Sequence, residues 1–268
     1  MMNTDDNAQT SSQFEIKLFI SPRNITDDDL RGCTTIVVDV LRSSSTIATA
    51  LLNGAREIIP VQTPAGAGEL ASHSGRKQCL LCGEREGRKI DGFDLGNSPL
   101  EYDAERVAGR TLIFSSTNGS NAVLRARAAD HVFVGGYNNF TAVAKRVLAE
   151  GKSVVVLCSG KLEQFAIEDF VCGGRFVNYF ETRMRRDVVL NDGARAAALL
   201  HRHFDGSIES LLRSCNHGKF LTSLGCDEDI QYCARLDTHP VIPVFVEGKL
   251  RGYHPDGTPI GESAVNTT

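Results

Sequence analysis

A short apolar run, a hydroxyl-rich or polar loop and a segment of helical spacing recur three times along this chain. TTIVVDV (34–40), LRSSS and TIATALLNGA (46–55) form the first unit, with REIIPV (56–61) as the following strand. RTLIFSS (110–116), TNGS and NAVLRARAA (121–129), followed by DHVFVGG (130–136), form the second. KSVVVLCSG (152–160), KLEQ and FAIEDFVCGGRFVNYF (165–180) form the third. Continuous apolar strands alternating with helices suit a sheet buried on both faces. The pattern therefore predicts an α/β fold with a largely parallel or mixed sheet covered on both sides.

FEIKLFI (14–20) reads as an additional first strand, and Pro22 with the Asp27–Asp29 run as a loop opening a short turn. DGARAAALLHRHF and IESLLRSC read as helices, and VIPVFVEGKLRGY as a hairpin turning at Gly248. No linker interrupts the pattern, so residues 14–268 are expected to form one domain behind a disordered tail over 1–13.

A chain of 268 residues can bury a large core. Its formal net charge of -4 argues against a nucleic-acid binder, which would need a basic stripe. The first residues, MMNTDDNAQTSSQ, lack the order of a signal peptide, and no apolar run approaches the roughly 20 residues of a membrane helix. The cytoplasm is the expected location, with a small molecule as partner and self-association as a homo-oligomer left open. Most of the eight cysteines sit alone in apolar runs, as buried reduced thiols do. Cys79 and Cys82 make a C-x-x-C without a second pair, so structural zinc is not expected.

In open α/β sheets, ligands bind beyond the carboxyl ends of the strands. Those ends carry Ser43, Ser44, Ser45 and Thr46 in the first unit and Ser116, Thr117, Asn118 and Gly119 in the second. Such loops can cradle an anion at a helix start, or simply cap the helix. Arg42 stands beside the first loop. Asp39 ends a buried strand, where an unpaired charge is costly, so it should face a cation or an arginine. Magnesium held by one or two carboxylates with substrate oxygens fits this, and so does an Asp39–Arg42 pair.

The stretch CGEREGRKIDGFDLGNSPLE (82–101) has no apolar period, eight charged residues and five helix- or strand-breaking glycines and prolines. A long irregular segment of this kind forms a binding surface or is disordered. Its Arg85, Arg88 and Lys89 could grip phosphate, sulfonate or carboxylate. Standard signatures fail here: Leu41 replaces the second acid of D-x-D-x-[TV], and no Walker loop occurs. C-x5-R runs from Cys79 and from Cys82, but both loops contain Glu84, which opposes a thiolate. GAGELA (66–71) reads as a plain helix start, and each of the seven histidines as surface or satisfied core.

GEREGRKIDGFDLGNSPLEY (83–102), DVLRSSSTIATALLNGA (39–55), SSTNGSNAV (115–123) and IEDFVCGG (167–174) together resemble the 2-phosphosulfolactate phosphatase family of coenzyme M biosynthesis, in order over about residues 14 to 250. Ser43 stands where that family more often has alanine. The resemblance implies a three-layer α/β/α fold and magnesium-dependent hydrolysis of 2-phospho-3-sulfolactate to 3-sulfolactate and phosphate. On residue chemistry, the expected metal ligands are Asp39, Glu168 and Asp169. The expected catalytic set is Asp39, Arg42, Ser43 and Ser44, and Ser45, Arg85, Arg88, Lys89, Ser116, Thr117, Asn118 and Gly119 are expected to bind the substrate. The substrate is a small, multiply anionic acid. Another phosphorylated hydroxy acid, or a sensor that binds such an anion without cleaving it, are the competing readings.

Overall fold

A computed structural model describes residues 13–74, 79–184 and 187–261. The tail expected over 1–13 lies, but for Gln13, outside them. After β1 (Phe14–Phe19), a capping box of Thr26 and Asp29 starts the single-turn α1 (Asp27–Leu30). The first recurrent unit appears as β2 (Thr34–Val38), α2 (Ser43–Leu52) and β3 (Glu57–Pro60). GAGELA lies in α3 (Pro64–Ser74), an ordinary helix. Then come β4 (Cys79–Arg85), β5 (Arg88–Lys89) and α4 (Ala104–Val107). The second unit is β6 (Thr111–Ser115), α5 (Gly119–Arg125) and β7 (His131–Gly135). Through α6 (Phe140–Glu150) the chain reaches the third, β8 (Val154–Cys158) and α7 (Ile167–Arg183). β9 (Val188–Leu190), α8 (Asp192–Phe204), α9 (Ile208–Ser214), α10 (Asn216–Ser223) and α11 (Asp227–Cys233) precede the hairpin of β10 (Ile242–Val246) and β11 (Lys249–Tyr253).

These strands form one sheet in the order β5-β4-β6-β3-β11-β10-β7-β2-β8-β1-β9. Strands β4, β6 and β3 pair parallel, as do β7, β2, β8, β1 and β9. The C-terminal hairpin joins the two groups through antiparallel pairings of β3 with β11, β11 with β10 and β10 with β7. Three reversals leave the two parallel groups running in opposite senses. The first unit is therefore not a simple βαβ crossover, because β11, β10 and β7 separate β2 from β3.

Alternation along the strands gives each face its own core. Ile36 and Val38 of β2, with Val154 and Val156 of β8, pack under α6, α7 and α8. Val37, Val155 and Leu157 point the other way, onto Ile47 and Leu51 of α2 and Val123 of α5. This is the three-layer arrangement. On the inner face α2 packs against β3, β7, β10 and β11, and α5 against β2 and β3, so the sheet curls around both helices. The curl brings the ends of β2 and β6 together although they belong to opposite groups: the Ser43 and Ser116 hydroxyls lie 3.4 Å apart.

The stretch from Cys82 is ordered. Its first four residues finish β4, and Glu86 (φ 52°) with Gly87 (φ 73°) make the left-handed pair of a tight hairpin turn into β5. The chain then returns beside β4, where Asp94 and Leu95 bond to Leu81 and Gly83. Among the described residues no helix is long and apolar enough to cross a membrane.

Leu250 is fully buried where the hairpin meets Ile58 of β3. Leu250→Ala should cost about 2–5 kcal/mol. Urea denaturation should show this as a lower midpoint of one cooperative transition. Two separated transitions would contradict a sheet that folds as one unit.

Candidate active site

A cavity of about 280 Å³ opens where strand ends from both groups converge. Asp39, Leu41 and Arg42 follow β2; Glu84, Glu86, Gly87 and Asn97 come from the β4–β5 hairpin and its return; Thr117 and Asn118 follow β6. Lys161 and Leu162 follow β8, and His217 and Phe220 belong to α10.

The expected strand 34–40 stops at Val38 because its next donors are taken elsewhere. Asp39 N–H donates to Ser44 Oγ (2.9 Å) and Val40 N–H to Asp169 Oδ1 (2.8 Å). Asp169 also accepts from the Ser159 hydroxyl and Gly160 N–H, both at 3.0 Å, so one buried carboxylate ties the end of β2 to the end of β8. Burial pushes the Asp169 carboxyl well up, with Asp39 and Glu168 adding repulsion. Asp39 is raised to about 6, chiefly by burial, against the opposing charge of His217 and a bond from Ser43. Gly119 allows these groups to crowd together, since a Cβ there would lie 2.5 Å from Ser43 Oγ and 2.6 Å from Asp39 Oδ2.

Arg42 lines the cavity but does not pair with Asp39. Its guanidinium bonds to the buried Asp229 of α11 and donates to the Gly87 carbonyl (2.7 Å). Its pKa is raised: burial opposes the charge, and the bond to Asp229 outweighs it. Ser98 donates to the other oxygen of Asp229. These contacts hold a planar donor fork at the cavity wall.

Several expected binding residues have other tasks. Arg85 donates to the Ser115 carbonyl and hydroxyl and to the Gln62 carbonyl, away from the cavity, and Arg88 and Lys89 are exposed and do not line it. The long stretch contributes through acids and an amide instead. Ser45 bonds to Asn138, and Ser116 and Ser120 cap one another across the start of α5, so the capping reading holds there. Ser43 and Ser44 are buried behind the wall and shape Asp39 rather than face the cavity. Thr117, Asn118 and Gly119 do converge with Asp39 and Arg42. Cys79 and Cys82 are buried within β4, which removes the cysteine-phosphatase geometry.

The pattern of residues along the sequence did not single out Lys161 and His217 at the wall or Asp229 behind it. Lys161, whose ammonium sits 4.4 Å over the Phe220 ring, lies in a strand-end loop and was findable on that ground. Asp229 lies in an acidic run with nothing to mark it. His217 Nδ1 stands 3.3 Å from Glu168 Oε1. Burial would raise the Glu168 carboxyl, but the bond and charge of His217 leave it below its ordinary value.

The donor set suits a hard cation. Asn97 Oδ1 and Thr117 Oγ1 are buried without hydrogen-bond partners, and both residues line the cavity with Asp39 and Glu84. No cluster of three or more His, Cys, Asp or Glu side chains with metal-holding geometry occurs among the described residues, so substrate oxygens or water would complete the shell, as magnesium commonly requires. Asp169 fits this role poorly because its oxygens already accept three donors, and Glu168 faces His217.

Because the folded Asp39 carboxyl titrates near 6 against an ordinary 3.8, its contribution to stability is full below about 3.8 and is lost as pH rises through 6. In the metal-free protein at neutral pH, Asp39→Asn should therefore stabilise the fold by on the order of 3 kcal/mol while abolishing activity. Thermal unfolding in EDTA checks this, and a lower melting temperature would contradict it. Gly119→Ala should displace Asp39 and Ser43 and cut kcat at least tenfold, as steady-state kinetics would show.

A family model described as 2-phosphosulpholactate phosphatase matches residues 19–248. The "Probable 2-phosphosulfolactate phosphatase" of Symbiobacterium thermophilum is 40% identical over 223 residues, covering 83% of this chain and 95% of the relative. Those of Caldanaerobacter subterraneus (36% over 228 residues; 85% and 94% covered) and Thermotoga petrophila (37% over 215 residues; 80% and 90% covered) bear the same name.

Proposed function

The chain belongs to the 2-phosphosulpholactate phosphatase family, and we propose that it hydrolyses 2-phospho-3-sulfolactate to 3-sulfolactate and phosphate with the help of magnesium. One observation carries this reading: three separate segments that bear the family likeness, 39–55, 83–102 and 115–123, meet at a single cavity. The substrate class fits the wall. Phosphate, sulfonate and carboxylate on three carbons demand several cations in a small space, and Arg42, Lys161 and His217 line it.

Asp39 would hold the magnesium ion with Asn97 and Thr117 oxygens and Glu84 beside them. Bound there, the ion supplies charge that offsets the phosphoryl oxygens and the crowded acids. Arg42, locked by Asp229, has donors left for the transferring phosphoryl group, and its fixed geometry means none of the stabilisation is lost to reorientation. Lys161 pairs with a second anionic group and orients the acid. Buried thiols such as Cys158 and Cys233 suit a reducing compartment, which supports the cytoplasm as the location.

Phosphate release from phosphosulfolactate, phospholactate and phosphoglycerate, with magnesium and with EDTA, tests the reading. We expect at least a hundredfold higher kcat/KM for phosphosulfolactate, loss of turnover in EDTA, and a KM raised more than tenfold by Lys161→Ala. Faster turnover of another acid would reassign the substrate. Saturable binding without release from any of the three would make the protein a sensor.

A further inference from the structure

We propose that His217, oriented by the buried Glu168, is the general acid that protonates the leaving oxygen of the substrate. The inference rests on the hydrolytic reading above and adds to it a residue that the family likeness does not identify. Phosphoryl transfer from a secondary alcohol expels an alkoxide, a poor leaving group, and a positioned proton donor typically contributes 10²–10⁴-fold. The cavity wall offers few donors that can give up a proton. Arg42 stays charged at all working pH values. His217 is different in kind, because it lines the cavity, its side chain is 14% exposed, and its Nδ1 lies 3.3 Å from a carboxylate whose side chain is 3% exposed.

That placement fixes the imidazole. With Nδ1–H donating to Glu168, the other nitrogen, Nε2, is left for the cavity. The Phe220 ring, 6.4 Å from the imidazole, and Lys161 above that ring flank it. His217 and Lys161 also line a neighbouring cavity of about 350 Å³, from which the ring can be reprotonated after each turnover.

The step balances as follows. The bond between phosphorus and the ester oxygen on C2 breaks, and its electron pair stays on that oxygen, which takes the Nε2 proton and departs as the alcohol. A water oxygen forms the new bond to phosphorus, and the resulting dihydrogen phosphate gives one proton back to solvent, from which His217 recovers its own. The net change is monoester plus water to alcohol plus hydrogen phosphate.

A leaving-group comparison tests the role. His217→Asn keeps a donor for Glu168 but has no group in place of Nε2. With phosphosulfolactate its kcat should fall about 10²–10³-fold. With 4-nitrophenyl phosphate, whose phenolate leaves without help, the fall should stay under about tenfold. Glu168→Gln should show the same split with a smaller loss. The ¹⁸O isotope effect at the bridging oxygen, measured on kcat/KM for phosphosulfolactate itself, should rise in His217→Asn because the oxygen departs unprotonated. Equal losses on both esters, or an unchanged isotope effect, would reduce His217 to a structural residue and overturn the proposal, with the phosphatase reading intact. A wild-type protein that releases no phosphate from phosphosulfolactate would overturn both.

Discussion

A single buried carboxylate organises the functional end of this sheet. Asp169 sits in the first turn of α7 and takes the N–H of Val40, the N–H of Gly160 and the hydroxyl of Ser159. Those donors belong to the ends of two neighbouring parallel strands, which leave the ladder at that point and would otherwise be buried without partners. With Val40 held, Asp39 turns toward the cavity, Ser44 closes back onto the Asp39 N–H, and α2 starts in a fixed direction. Each later feature of the site, from the position of Arg42 to the contact of Ser43 with Ser116, follows from where that turn is pinned.

The pinning carries an electrostatic cost that the site uses. Asp39, Glu168 and Asp169 are all buried; burial raises Asp39 and Asp169, and the charges of Asp39 and Glu168 raise Asp169 further, so the interior beside the cavity holds more negative charge than a low dielectric readily tolerates. His217 offsets part of it at Glu168, and Asp229 keeps Arg42 from simply neutralising Asp39. The cavity lining thus combines acids, Asp39 and Glu84, with the cationic Arg42 and Lys161. The proposed substrate, a phosphorylated acid accompanied by a divalent ion, would be complementary to both at once.

Much of this was legible in the chain. The three strand-loop-helix units, the terminal hairpin at Gly248 and the convergence of Asp39, Arg42 and Thr117 follow from local patterns whose period and polarity survive folding. The strand order did not, because nothing in VIPVFVEGKLRGY says that it will lie between two parallel groups rather than at an edge. The arginines of 85–89 misled for a related reason: β4 alternates, so Glu84 and Arg85 point to opposite sides, and the backbone of β6 takes the guanidinium. His217 and Asp229 were hidden because their partners, Glu168 and Arg42, lie far away in sequence. Only the folded chain sets a plain histidine against a buried acid.

In the proposed site, ends of strands from two oppositely running groups build one pocket for a divalent ion and a multiply charged acid. Crystals grown with 3-sulfolactate and manganese in place of magnesium would test it most directly, through anomalous scattering from the metal and density for the acid. The metal peak is expected at the Asp39 carboxylate, with the sulfolactate between it and Lys161. Metal or acid bound instead in the open groove beside Arg125 and Arg127, with the Asp39 cavity holding only water, would contradict it.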